Sequence, residues 1–318
     1  MAALRMNEIF DQHIPVLLDE VIEHMITSPD GIYIDATFGR GSHSQAILNH
    51  LSAQGRLIAF DKDPDAIAYA RKHFHDPRFS IIHSSFAEMQ IYLQKAEVFG
   101  KVCGILLDLG VSSPQLNTAE RGFSFMREGK LDMRMDTSQG EDAMTWLAKV
   151  EEVELARVLW MYGEEKFSRR IARAIVAARA EKPITTTAEL AHIITEAMPR
   201  KPHAGEKHAA TRSFQAIRML VNRELPELEQ GLNQALDALA LGGRLLAISF
   251  HSLEDRLVKQ FIRQHEKGQE LPRNLPIKPE AFQARLKSVT KAIKPSLHEI
   301  RSNPRSRSAI LRIAEKLS

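Results

Sequence analysis

Four short apolar runs, separated by segments of helical spacing, open the chain. They are Ile32-Tyr33-Ile34, Leu57-Ile58-Ala59-Phe60, Phe79-Ser80-Ile81-Ile82 and Gly104-Ile105-Leu106-Leu107. Between them, Ala46-Ile47 through Leu51 and Ala66-Ile67-Ala68 through Phe74 repeat apolar residues at helical intervals. Near-continuous apolar strands divided by helices predict a parallel sheet covered on both faces. That is a doubly wound α/β domain.

The alternation stops after Gly110, and the next hundred or so residues read as helical. Phe167, Ile171, Ala174, Ile175 and Ala178 form one apolar stripe, with Arg169, Arg170 and Arg173 beside it. Thr186 followed by Glu189 predicts a capping box. Residues 199–212, with two prolines, Gly205, Lys201, His203, Lys207, His208 and Arg212, predict a polar loop. The α/β pattern then resumes with a helix over 214–239, Gly242-Gly243, a strand over 244–250 and a helix over 253–264. Strand-like pieces at 287–293 and 309–313 close the chain. The predicted organisation is a sheet domain in two parts, 1–112 and 213–318, interrupted by a helical substrate-recognition insertion at 113–212.

Length and composition agree with one large domain carrying an insertion, or with two domains. At 318 residues the chain exceeds the usual size of a single core. Its 44% hydrophobic and 26% charged residues exclude a disordered or fibrous protein. A single cysteine, Cys103, excludes an internal disulfide and a cysteine-based zinc site and suits a reducing compartment. The scattered histidines show no metal-ligand spacing. The first twenty residues lack the pattern of a signal peptide, and no run of about 18 apolar residues would span a membrane. Cytoplasm is the expected location.

Charge adds a partner. Residues 256–318 hold 15 Lys+Arg against 5 Asp+Glu, leaving 28 against 35 in the first 255. A basic tail on an acidic body favours a polyanion such as nucleic acid, bound through phosphate neutralisation. The same surplus also suits a merely well-solvated terminus.

The candidate chemistry starts in Asp35-Ala36-Thr37-Phe38-Gly39-Arg40-Gly41-Ser42-His43, directly after the first strand. Gly39 and Gly41 allow a tight turn into a helix whose first N–H groups lack intrahelical partners. Asp61, 22 residues beyond Gly39 at the end of the second strand, stands at the spacing from which a carboxylate grips ribose hydroxyls. The pattern indicates an adenosine cofactor. Ser44 occupies the place of the third glycine of a dinucleotide fingerprint, and Asp35 would repel a pyrophosphate. Both favour S-adenosylmethionine over NAD and disfavour a dehydrogenase.

Asp108 ends the fourth strand, in the crevice where open α/β sheets bind ligands. A carboxylate there can accept a hydrogen from an attacking amine. It can equally hold the cofactor or cap a helix. After the fifth strand, Ser252 and Asp255 predict a capping box, while Phe250 and His251 are candidates for stacking on a target base.

The segments His13 to Leu18, Asp35 to His43, Asp108 to Gln115, Glu120 to Phe125, Thr211 to Arg218, Ser249 to Arg256 and Asn303 to Ser308 together resemble the RsmH (formerly MraW) family over nearly the whole chain. Its members are 16S rRNA cytosine N4-methyltransferases acting at the ribosomal decoding centre. The resemblance implies a seven-stranded class I methyltransferase sheet with an inserted all-helical domain. It further implies S-adenosylmethionine contacts from Gly41, Ser42, His43, Asp61, Phe86, Asp108 and Gln115. Asp108 is followed by Leu109-Gly110, so the Asp/Asn-Pro-Pro-aromatic tetrad of many amino-methyltransferases is absent, and Phe123, Phe125 and Phe250 remain open as base-stacking residues. Phosphate contacts are expected from Lys201, Lys207 and Arg212 in the loop and from Arg301, Arg305 and Arg307 in the tail. The expected partner is 16S rRNA in the small ribosomal subunit, with no membrane and no obligate protein partner. A DNA amino-methyltransferase and a non-catalytic RNA-binding assembly factor are the competing readings.

Overall fold

The computed structural model describes residues 15–199, 208–267 and 284–318. The chain divides into two compact units, one of residues 1–110 and 225–318, the other of residues 111–224.

The first unit is built on a seven-stranded sheet in the order β3-β2-β1-β4-β5-β7-β6. The strands are β1 (Ile32–Asp35), β2 (Arg56–Asp61), β3 (Phe79–His83), β4 (Val102–Asp108), β5 (Leu239–Ser249), β6 (Leu286–Ser288) and β7 (Ile310–Lys316). β1 to β5 run parallel, and β7 pairs antiparallel with both β5 and β6. Seven strands are what the family resemblance implies.

Alternation along the strands feeds two separate cores. Ile34, Ile105, Leu107, Leu245 and Ala247 point into one. Tyr33, Leu106, Leu246 and Ile248 point into the other. Helices cover both faces because both faces are apolar. They include α1 (Leu18–Met25), α2 (Ser42–His50), α3 (Pro64–His73) and α4 (Met89–Lys95), with two later helices over 224–238 and 252–267. The strand order reverses between β1 and its neighbours β2 and β4, the switch point at which such sheets open a crevice.

The second unit holds α5 (Ser113–Asn117), α6 (Ala143–Lys149), α7 (Glu152–Gly163), α8 (Ser168–Glu181), α9 (Thr187–Ala197) and α10 (Thr211–Val221). Leu147, Leu155, Leu159, Ile171, Ile175, Leu190, Ile194, Phe214 and Ile217 make its core. The predicted capping box forms: Thr186 Oγ1 accepts from Glu189 N at 3.2 Å, and the Glu189 carboxylate accepts from Thr186 N at 3.1 Å. Phe167 departs from its predicted stripe. It precedes α8 and is 39% exposed, while Ile171 and Ile175 are fully buried.

Three sequence boundaries move. The helix expected over 214–239 is two helices, α10 and α11 (Glu224–Ala238), separated at Asn222 and Arg223, where Arg223 takes a φ of 52°. Helical propensity continues through this break; what interrupts it is Asn222, whose side chain accepts from Met135 N at 2.7 Å and donates to Met133 O at 2.7 Å and Arg218 O at 2.8 Å. The helical unit therefore runs to Glu224 instead of ending at Arg212, because Phe214, Ala216 and Ile217 lie in its core. β5 begins at Leu239, ahead of the glycine pair, with a register shift against β4 between Val102 and Gly104. A long helix, α12 (Ser252–Lys267), and a short one, α13 (Leu297–Ser302), complete the first unit. No helix among the described residues is long and apolar enough to cross a membrane.

Candidate functional site

Three carboxylates stand at the carboxyl ends of three adjacent strands: Asp61 on β2, Asp35 on β1 and Asp108 on β4. Parallel strands place their ends on one edge, so residues 26 and 47 positions apart in the chain arrive together. Their hydrogen bonding separates them chemically.

Asp35 is buried, and each oxygen has a donor. Thr37 N donates to Oδ1 at 3.2 Å and the Ser44 hydroxyl to Oδ2 at 2.6 Å. Burial pushes its carboxyl up to about 6, opposed by those two bonds. Asp61 accepts Gly39 N at 2.7 Å on Oδ2 and Asp63 N at 2.8 Å on Oδ1. It too is raised by burial to about 6. Its first task is thus to tie the glycine loop to the end of β2; the ribose-gripping role expected of it would use the remaining lone pairs.

The loop itself needs its glycines. Gly39 and Gly41 take φ values of 56° and 75°. A Cβ on Gly41 would fall 2.6 Å from the Phe38 ring, which is wedged against Phe74 at 5.1 Å between centroids. α2 begins immediately afterwards, with Ser42 as its first residue and no side chain capping it, so its first N–H groups point out of the loop.

Asp108 differs. Its backbone N–H donates to Thr37 Oγ1 at 2.7 Å. Its Oδ2 lies 3.6 Å from His43 Nδ1, and Oδ1 is buried without a hydrogen-bond partner among the described residues. Burial pushes this carboxyl up to about 8, with Asp35 and Glu254 adding repulsion. His43 is buried, its Nε2 lies 3.1 Å from Val16 O, and burial pushes its imidazole down to about 4. Ser44, Thr37 and the Val16 carbonyl were not singled out as partners from sequence. Thr37 lies in the glycine loop, but nothing in spacing marks its hydroxyl as the acceptor of a backbone N–H 71 residues away.

Phe86 follows β3 in a single 3-10 turn, half-buried. Its ring edge lies over Gly231 of α11, where a Cβ would sit 2.7 Å from Phe86 Cε2. The turn is fastened by Ser85 Oγ donating to Glu227 at 2.7 Å and by Gln90 N donating to Gln234 Oε1 at 2.8 Å. Gln115 belongs to the other unit, where its Oε1 accepts from Ser112 N at 2.9 Å in a capping box on α5.

His251 is drawn into helix capping. Its Nδ1 accepts from Glu254 N and its own N–H donates to Glu254 Oε2, both at 3.4 Å, while Phe250 N donates to the same oxygen at 3.0 Å. The capping box expected of Ser252 and Asp255 is therefore corrected by one residue, since α12 starts at Ser252. Asp255 instead holds Arg312 of β7 at 2.7 Å. Phe250 is half-buried beside Gly110, packed on the sheet core. Phe123 is buried in the second unit, and Phe125 packs on Phe214 at 4.8 Å. Arg212 is exposed, its guanidinium donating to Glu164 O at 3.3 Å. Arg305 and Arg307 are exposed in the 3-10 turn Pro304–Ser308. Lys201 and Lys207 lie outside the described residues.

A glycine turn, a helix start without a capping side chain and a cluster of one buried and two half-buried carboxylates suit a ligand with a nucleoside and a cationic sulfonium, as S-adenosylmethionine has. The unpartnered Asp108 Oδ1 is the specific observation, since a buried acceptor without a donor is stabilised by positive charge or an N–H from a ligand.

Known proteins agree with this chemistry. A protein named Ribosomal RNA small subunit methyltransferase H from Alteromonas mediterranea is 57% identical over 96% of this chain and 98% of its own. Proteins of the same name from Coxiella burnetii (56%, over 97% and 100%) and Pseudoalteromonas atlantica (55%, over 96% and 98%) are similarly related. Among solved structures, an rRNA methylase from Streptococcus thermophilus aligns with 95% of this chain and 94% of its own, at a TM-score of 0.40 and 12% identity. That likeness is too loose to add to the sheet order. The model of the MraW methylase family matches residues 11–317, and the chain belongs to that family.

Proposed function

We propose that this methylase transfers a methyl group from S-adenosylmethionine to the exocyclic N4 amine of one cytosine in the decoding region of 16S rRNA, acting on the small ribosomal subunit in the cytoplasm. The observation that carries the reading is the row of strand-end carboxylates beside an uncapped α2, in a chain of the MraW methylase family. The name shared by the relatives supports small-subunit rRNA as the substrate. The motif resemblance supports cytosine N4.

The donor supplies an electrophilic methyl group on a sulfonium. The remaining work falls to the chain. Gly39, Gly41, Ser42 and His43 hold the donor at the start of α2, with Asp35, Asp61 and Phe86 as further contacts. Asp108 accepts a hydrogen of the attacking amine, which raises electron density on nitrogen and leaves the carboxyl a place for the departing proton. Phe250 remains the candidate to stack on the target base, half-buried beside Gly110. His251, held by Glu254, steadies the turn that carries it. Arg212, Arg305, Arg307, Lys201 and Lys207 contact phosphates.

The test is nucleoside mass spectrometry after incubating the enzyme and labelled donor with unmethylated small subunits, deproteinised 16S rRNA and duplex DNA. Label in N4-methylcytosine of the subunits is expected. Label confined to DNA, or none with donor bound, overturns the reading. Asp108→Ala should abolish label while RNA binding persists.

A further inference from the structure

Of the three strand-end carboxylates, Asp108 alone receives no hydrogen bond on either oxygen among the described residues, whereas Asp35 and Asp61 each receive two. An ionised carboxylate in a buried place needs donors. What faces Asp108 is His43, and the orientation of that imidazole is settled from its other side. Nε2 lies 3.1 Å from the Val16 carbonyl, an acceptor, so Nε2 carries the hydrogen. In the neutral ring the lone pair is then on Nδ1, the nitrogen 3.6 Å from Asp108 Oδ2. At 3.6 Å no hydrogen bond is formed, and two lone pairs facing one another repel unless one of the groups carries a proton.

That hydrogen sits on imidazolium or on carboxylic acid, and the surroundings select the acid. Both groups are largely out of water, which favours the neutral pair over an ion pair. Asp35 of β1 and Glu254 of α12 bring negative charge to Asp108. The same burial holds the imidazole of His43 neutral.

We propose that Asp108 is the neutral acid in the donor-free protein, aimed at His43 Nδ1, and that it releases this proton when a cationic methyl donor enters, so that the pair separates the charged donor from its uncharged product. The inference rests on the donor reading above but not on the RNA substrate. The cycle balances. One proton leaves Asp108 for solvent as the sulfonium arrives. Methyl transfer moves the positive charge onto the amine nitrogen, and loss of the amine proton to the Asp108 carboxylate restores the acid beside the neutral thioether. The one proton that amine methylation releases overall thus appears at donor binding, ahead of the chemistry. His43 acts as a positioning residue, keeping a lone pair toward the acid.

Titration calorimetry without RNA, in buffers of contrasting ionisation enthalpy from pH 6 to 9, tests this. S-adenosylhomocysteine is the control, because it keeps the amino, carboxyl and adenine groups of the donor and lacks only the methyl group and its charge. At pH 7 about one proton should be released per S-adenosylmethionine and none per S-adenosylhomocysteine. The ratio of the two affinities should rise about tenfold per pH unit from 6 to 7 and level off above 8. In Asp108→Asn that ratio should be flat. In the ¹⁵N spectrum at pH 7, His43 of the donor-free protein should be neutral and protonated on Nε2. Equal proton release for both ligands, a sloping ratio in Asp108→Asn, or an imidazolium at His43 overturns the inference while the donor site stands. A folded protein that binds neither ligand overturns both.

Discussion

The hydroxyl of Ser44 donates a 2.6 Å hydrogen bond to Asp35 Oδ2, one turn of α2 reaching back to the end of β1. Ser44 is fully buried and stands where a dinucleotide-binding loop would carry glycine. The residue that breaks the dinucleotide pattern is therefore the one that satisfies the carboxylate under the loop. Replacing it by alanine leaves a buried carboxylate oxygen short of its donor. Ser44→Ala should lower stability by about 1–3 kcal/mol and weaken donor binding. Urea unfolding with unchanged m-value, together with calorimetry, checks both; a variant as stable as the parent would show that water replaces the hydroxyl.

Asp61 carries two functions that separate by substitution. Asp61→Ala frees the N–H groups of Gly39 and Asp63 and removes the carboxylate, so donor affinity should fall by roughly 1–3 kcal/mol. Asp61→Asn retains an acceptor and should lose less in stability than in affinity. Comparing melting temperature with donor Kd for the two variants reads this; equal losses in both measures would confine Asp61 to bracing the loop.

The raised carboxyl of Asp108 dictates how the donor-free protein responds to pH. A group whose folded pKa lies above its unfolded value of 3.8 binds more protons when folded, so stability falls as pH rises toward the folded value of about 8. His43, lowered from 6.5 to about 4, acts oppositely but only below 6.5. Between pH 6.5 and 8 the Asp108 effect stands alone of the two. The melting temperature of donor-free protein should fall across that window, and the fall should vanish in Asp108→Asn. A flat parent profile would contradict the raised carboxyl.

Asn222 holds the second unit closed at the break between α10 and α11. It is 5% exposed and bonds Met133 O, Met135 N and Arg218 O. Asn222→Ala strands buried backbone groups and should cost about 2–4 kcal/mol, the sum expected from more than one lost partner. Thermal unfolding measures it. Asn222→Asp, which keeps one acceptor, should fall between.

Arg301, Arg305 and Arg307 are exposed on α13 and the 3-10 turn after it. If they contact phosphates, replacing all three by glutamine should reduce the salt dependence of RNA binding by up to about 2.7, at roughly 0.9 per contact on a duplex. Donor affinity should not change. An unaltered slope would assign these side chains to solvent.

The strands and the helical insertion were legible in sequence because burial on both faces leaves unbroken apolar runs and amphipathic helices leave a stripe. The glycine turn, the acid 22 residues on and the Thr186–Glu189 cap were legible because their chemistry is local. The extent of the helical unit and the exposure of Phe167 were not, because each depends on partners distant in the chain.

By itself, then, the sequence determined the alternation of strands and helices, the left-handed turn at Gly39 and Gly41, and the presence of carboxylates at strand ends. Only the tertiary structure decided what those carboxylates are. Parallel pairing sets Asp35, Asp61 and Asp108 at one edge of the sheet, and their neighbours give the first two donors and leave the third facing an imidazole lone pair. Protonation is set by desolvation and nearby charge in three dimensions, and no spacing along the chain encodes either.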